Sequence, residues 1–381
     1  MNPTTGAAPD QDSRVLLAGI GYASMPISEE ARSSALDALE RKQTHYAPVA
    51  GIEPLRSAVA SYLATLGLDV PAQRVIITGG AQEAIFLALQ GMTRPYGDAT
   101  TARGDREARY LADYDVVRDL RPVAIPAVVD PGVRAALDVR ERRVTSMPVD
   151  EQASLLPTVA AIEQALEQGS KLIYLESPGR LTGSIYTHSQ VRQIAGLLQT
   201  HDAFCVWDQS AAPAVAGEYK SLAALEPERT AAVGQLWPGQ GLETWQIGYV
   251  VAPAVCLESL VALKQVLSIC TSTPAQWGAC GAAQAFPTEH AVLKSRLEAA
   301  RHQMLSGASG DPRVLPGQSV HVLALQLGDA AAAAHERLTA QGIPCEDGTA
   351  YGAPGVLRIT VLPEREAGEA IRDVLRGDAP W

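Results

Sequence analysis

The chain has 381 residues, with 31 lysines and arginines against 42 aspartates and glutamates, for a formal net charge of −11. Apolar residues make up 47%, enough to bury a large core, which excludes a disordered chain. The negative charge excludes the phosphate-neutralising surface that nucleic acid needs, and roughly 150 residues per domain predicts two or three units or one large α/β domain with an appendage. The five cysteines, Cys205, Cys256, Cys270, Cys280 and Cys345, form no CxxC pair. They read as reduced thiols of a cytoplasmic protein, without a metal site. The first 14 residues are polar and lack an apolar stretch behind a basic start, so no signal peptide is expected. No apolar run reaches the 18 or so residues of a membrane span.

In chain order, residues 1–14 read as an arm. Ser28 followed by Glu29 and Glu30 places acidic charge at the positive end of a helix running to Arg41. Arg56 to Leu66 is a second amphipathic helix, stopped by Gly67. The β-branched run at Arg74–Thr78 leads directly into GGAQEAIFLALQGM, a strand, glycine turn and helix in that order. Residues 94–122 mix glycine with many charges and read as a solvated excursion carrying a short helix. After it, PVAIPAVV is extended and DPGVRAALDV is a turn and helix. LIYLE (172–176) and AFCVWD (203–208) are apolar runs of strand length separated by the helix SQVRQIAGLLQTH, a crossover that buries both strands in a parallel sheet. GYVVAP (248–253) is a further strand. The last part reads strand (SVHVLALQLG), helix (AAAAHERLTAQG), strand (GVLRITVL), a smaller α/β lobe.

Six segments in this order resemble the fold-type I pyridoxal-phosphate (PLP) enzymes, the aspartate aminotransferase-like family, over about residues 19–375. HYAPVAGIEPLR (45–56) is similar to the family's YxPxxGxxxLR; TGGAQEAI (78–85) to its glycine phosphate turn; LESPGRLTGSIY (175–186) to its NPxNPTG segment; VWDQS (206–210) to the strand end whose aspartate meets the pyridine nitrogen; TWQIGYVVAP (244–253) to GxRxGYxxxP; and GVLRITV (355–361) to the segment carrying the substrate-carboxylate arginine. The resemblance implies an α/β aspartate aminotransferase-like fold: a large domain with a mostly parallel sheet between helices, plus a smaller α/β domain. The expected division is 1–45 for an arm and part of the small domain, 46–284 for the large domain and 285–381 for the small one. It also implies a homodimer.

Several of the family's cofactor contacts are changed. The chemistry uses a lysine amine as a Schiff base, and counting back about eight residues from the family arginine, here Gln246, reaches Pro238. No lysine occurs between Lys220 and Lys264, and Lys220 reads as surface charge. The NPTG asparagine corresponds to Arg180, the tyrosine after the aspartate to Ala211, and the ring-stacking aromatic to the Val128–Val129 region. Gly79, Gly80, Ala81 and Gln82 open a helix whose N–H groups can bind an anion, or serve only tight packing. Asp208 ends a strand where α/β sheets place ligands. Arg358, in an apolar strand, needs an anion, either a ligand carboxylate or an internal acid. Tyr46 reaches a neighbouring subunit's site or packs at the interface.

From these replacements the sequence is read as an enzyme that has lost PLP and holds no cofactor. Asp208, Glu176 and Arg180 are the acid/base set, and Trp207, Trp237, Trp245 and Gln246 line the vacated ring space. Arg358 and Tyr46 bind a carboxylate-bearing small molecule. Cyclisation, condensation or isomerisation in secondary metabolism is the expected chemistry. Two alternatives stand beside it: a PLP-binding aminotransferase-type enzyme holding its cofactor non-covalently, and a non-catalytic partner of a true aminotransferase. Neither nucleic acid nor membrane is expected as a partner.

Overall fold

A computed structural model describes residues 25–92, 122–139, 141–150, 154–306, 308, 310–363 and 367–377. The expected arm at 1–14 and almost all of the 94–122 excursion lie outside the described residues. Helices α1 (Glu29–Glu40) and α2 (Glu53–Thr65) lead to strand β1 (Val75–Gly79) and helix α3 (Gly80–Gly91). Ser28 caps α1 by accepting from the N–H of Ala31, with Glu29 and Glu30 in the first turn, as the sequence pattern requires. Strand β2 (Val123–Pro126) is followed by α4 (Pro131–Asp138), whose start is set by proline at its first position and by Asp130 accepting from Gly132 N–H.

Strand β3 (Val144–Met147), helix α5 (Val159–Glu167) and strand β4 (Leu172–Glu176) follow. Helix α6 (His188–Thr200) opens on a reciprocal capping box between Thr187 and Gln190, and β5 (Phe204–Asp208) comes next. A short α7 (Leu222–Leu225) precedes β6 (Thr230–Gln235) and β7 (Ile247–Val251); helices α8 (Leu257–Leu267) and α9 (Thr273–Met304) then lead away from the sheet.

These strands form one seven-stranded sheet in the order β1-β7-β6-β5-β4-β2-β3. It is parallel from β6 to β3, with β7 antiparallel to both of its neighbours. The period of two in each strand decides what faces where. Along β4 and β5, Ile173, Leu175, Cys205 and Trp207 point into the core under α5 and α6, whereas Tyr174 and Val206 point to the face covered by α3 and α4. Glu176 and Asp208 are Cα partners in register and lie two residues beyond Tyr174 and Val206, on that second face.

A second, antiparallel sheet contains β8 (Val314–Leu315), β9 (Val322–Gln326), β10 (Cys345–Asp347) and β11 (Val356–Thr360) in the order β10-β11-β9-β8, with α10 (Ala331–Ala340) and α11 (Gly368–Arg376). Helix α9, 32 residues long, contributes Ala279, Ala282 and Phe286 to the large-sheet core and Leu293, Leu297 and Met304 to the small-sheet core. Among the described residues no helix is long and apolar enough to cross a membrane.

The β1–α3 turn is held by close backbone packing. A Cβ on Gly248 would lie 2.4 Å from the carbonyl carbon of Gly80, and Gly80 itself has φ +82°. Gly248→Ala should therefore lower stability by about 2 kcal/mol or more, read as a drop in the urea midpoint at unchanged slope.

Candidate functional site

At the carboxyl ends of the parallel strands, one arginine gathers three acidic groups. Arg180, in the link after β4, places Nη2 2.7 Å from Asp208 Oδ2 and Nη1 3.0 Å from Asp130 Oδ2, while its backbone N–H donates to Glu176 Oε2 at 3.0 Å. The three ionic side chains are close to dry, with side-chain exposures of 13% for Arg180, 9% for Asp130 and 4% for Asp208. Such a cluster is stable only because each charge is paired. Against the desolvation that would lower it, the negative charges of Asp208 and Glu176 push the Arg180 pKa up, so it stays cationic. The other oxygen of Asp208 accepts from Ser210 N–H and Oγ at 2.9 and 2.6 Å.

Glu176 differs from its neighbours. Burial pushes its carboxyl up to about 7; the Arg180 cation opposes this and the Asp208 charge adds to it. Tyr174, on the same strand face, has its hydroxyl 3.1 Å from Glu176 Oε1 and 3.0 Å from Asp208 Oδ2. Burial, then the nearby carboxylates, raise its pKa well above the ordinary tyrosine value, so it remains a phenol. A small cavity of about 10 Å³, room for one water, adjoins Glu176 and Arg180 and is walled by Val128, Leu155, Leu156 and Tyr351.

The structure thus brings Asp208, Glu176 and Arg180 together and adds two groups that the sequence reading did not single out. Asp130 was visible only as a helix start, because its capping oxygen Oδ1 hides the second role of Oδ2. Tyr174 could have been found as the one phenol in an aliphatic strand, two residues before Glu176.

Arg358 is fully buried and joins the cluster from the small sheet, its Nε donating to the Arg180 carbonyl at 3.1 Å. Its Nη1 reaches Glu346 Oε2 at 3.3 Å and Thr360 Oγ1 at 3.1 Å, so an internal acid already faces it.

The expected aromatic wall does not form. Trp207 is fully buried on the opposite sheet face, its indole N–H donating to Tyr219 Oη at 2.9 Å. Trp237 packs on Tyr62 and Phe286 and donates to the Ala279 carbonyl at 2.9 Å. Trp245 lies against Gly278 of α9. Single-residue alternation in β5 turns Trp207 away from the face that carries Asp208. The other two indoles are drawn into the helical core.

Gln246, in the left-handed region at φ +50°, packs beside Gly80. Tyr46 is 81% exposed. At the α3 turn, the Gly79 N–H donates to the Glu83 carboxylate, Gly80 and Ala81 start the helix, and the Gln82 side chain lies against Gly132 beside Asp130. Lys264 is fully buried with Nζ 3.0 Å from Glu83 Oε1, Lys220 pairs at the surface with Glu218, and Pro238 lies in the β6–β7 link.

The sequence profile described as Aminotransferase class I and II matches residues 19–374. The aspartate/prephenate aminotransferase of Thermus thermophilus is 26% identical over 348 residues, covering 89% of this chain and 84% of that protein. Among solved structures, an aspartate aminotransferase tetra mutant from Thermus thermophilus superposes with a TM-score of 0.77 at 21% identity, covering 98% of both chains. The aromatic aminotransferase from Pyrococcus horikoshii OT3 superposes with a TM-score of 0.78 at 19% identity, covering 96% of this chain and 98% of that one. At these identities the structures establish the aspartate aminotransferase-like fold.

The family match and the aminotransferase names carried over most of the chain overturn the expectation of PLP-independent acid/base chemistry without a cofactor. They favour the alternative that keeps PLP, and the setting in secondary metabolism loses its support. The error lay in equating changed contacts with an abandoned cofactor. The Arg180 cluster itself yields a stability test: Arg180→Met strands two buried carboxylates and should cost about 3–5 kcal/mol in urea unfolding, with part of the loss recovered by adding Asp130→Asn.

Proposed function

Because the chain belongs to the aminotransferase class I and II family, we propose that it is an aminotransferase-type enzyme that binds PLP non-covalently and acts on a carboxylate-bearing amino or oxo acid. The observation that carries this reading is Asp208, a buried carboxylate at the carboxyl end of β5 that already receives a cationic N–H at 2.7 Å. The Arg180 guanidinium there stands in for a protonated ring nitrogen. At the amino end of α3, the Glu83 carboxylate on Gly79 N–H stands in for a phosphate in the same sense. Asp208 and the Gly79 N–H thus offer partners for the two charged ends of PLP once Arg180 and Glu83 give way. Its aldehyde has no lysine at position 238, which is why the reading is non-covalent.

In this reading Asp208 would hold the ring nitrogen, the turn Gly79, Gly80, Ala81 and Gln82 would hold the phosphate, and Arg358 would take the substrate carboxylate in exchange for Glu346. When bound, PLP supplies an electron sink for a substrate carbanion. Glu176 keeps an acid proton beside the ring seat, and Arg180 supplies a fixed positive charge once it leaves Asp208. The Thermus thermophilus relative is named for aspartate and prephenate, both carboxylate-bearing. A homodimer fits the exposed apolar residues Val266, Leu267 and Ile269 at the end of α8, together with Tyr46.

Titrating the purified protein with PLP should quench tryptophan fluorescence and generate a cofactor absorbance band that dialysis removes and that borohydride does not fix to the chain. Asp208→Asn should weaken this binding about tenfold, the loss of one charge-assisted bond. No binding by the wild-type protein at millimolar PLP would overturn the reading, and a borohydride-stable lysine adduct would overturn its non-covalent part. Light scattering at micromolar concentration should give twice the chain mass.

A further inference from the structure

The contacts around Tyr174 fix a proton count. A phenol owns one proton and can donate it to one acceptor, yet the Tyr174 oxygen lies 3.1 Å from Glu176 Oε1 and 3.0 Å from Asp208 Oδ2. Asp208 meets donors at every other contact given for it: Arg180 Nη2, Ser210 N–H and Ser210 Oγ. It is the acceptor of the phenolic proton. Glu176 Oε2 is taken by the Arg180 backbone N–H. The 3.1 Å contact between Glu176 Oε1 and the phenol is then a second hydrogen bond only if Glu176 brings a proton of its own.

We infer that Tyr174 joins Glu176 and Asp208 into one proton-sharing unit, in which Glu176 is a neutral acid donating to Tyr174 and Tyr174 donates to Asp208. The groups facing Glu176 come from every side of the cluster. They are Tyr174 on its own strand, Asp208 at the end of β5, Arg180 in the following link, Asp130 at the start of α4, and Tyr186, whose own pKa burial raises. Of these only Arg180 favours an ionised Glu176, and its guanidinium is directed to Asp208 and Asp130. Tyr174 is thus a positioning residue that links the proton of Glu176 to the Asp208 oxygen that would meet the ring nitrogen. That last role rests on the reading proposed above; the proton count does not.

The test uses the cofactor-free chain. Urea midpoints of the wild type and Glu176→Gln are measured from pH 4 to 8.5, and their difference removes the contribution of all other titrating groups. A carboxyl raised in the folded state stabilises most below its unfolded pKa, so the wild-type advantage should be largest near pH 4.5, fall as pH rises to about 7 and stay flat above. In Tyr174→Phe the acid loses its acceptor, and the end of this fall should move down by about one pH unit. Infrared spectra supply a second readout that does not depend on the tyrosine variant. A protonated-carboxyl band present in the wild type at pH 6 should vanish in Glu176→Gln and by pH 8.5. A flat difference curve with no such band would overturn the inference, as would a fall ending at the same pH in Tyr174→Phe. Failure of the PLP titration would leave these results standing, and would bear on the functional reading alone.

Discussion

One buried guanidinium holds this site together. Taking Arg180 out of water carries a desolvation cost of several kcal/mol, which is offset only when excellent geometry and enough hydrogen bonds accompany the charges. Its donors reach three acids on three segments: the end of β4, the end of β5 and the start of α4. Its carbonyl takes a fourth bond from the small sheet. Four pieces of chain therefore meet at Arg180, two acids through its guanidinium and Glu176 and Arg358 through its backbone. The neutral state of Glu176 follows from the same constraint, since the Arg180 guanidinium is already committed to two carboxylates.

Much of the fold was legible before any coordinates. The strands at 172–176 and 203–208 and the helix start at Ser28 follow from local rules: unbroken apolar runs for strands buried on both faces, and a side-chain acceptor at the helix start. The site was legible in part. Asp208 was singled out as a carboxylate at a strand end and Glu176 and Arg180 through the segment that resembles NPxNPTG, and the fold brings all three together. Tyr174 escaped because a buried tyrosine reads as packing until its hydroxyl is placed. The tryptophans misled for a physical reason. Proximity in sequence to a strand end says nothing about which face a side chain takes, and one step along β5 separates Trp207 from Asp208 by the full thickness of the sheet.

The largest revision concerns the cofactor, and the structure explains how the misreading arose. A chain that has exchanged individual contacts can still present opposite charges at the two ends of a binding site. Here Asp208 receives Arg180, and the Gly79 N–H donates to Glu83, which is itself paired with buried Lys264. Residue-by-residue matching registers each replacement as a loss.

The bond from Arg358 to the Arg180 carbonyl has a mechanical meaning as well. It ties a residue in the middle of the small sheet to the backbone of the link that carries the central cation. An anion that drew Arg358 away from Glu346 would pull on that carbonyl, and through it on the guanidinium's seat between Asp208 and Asp130. Arg358 in the small sheet and the Asp208–Asp130 side of the cluster are in this way connected by covalent chain and one hydrogen bond, without any helix between them.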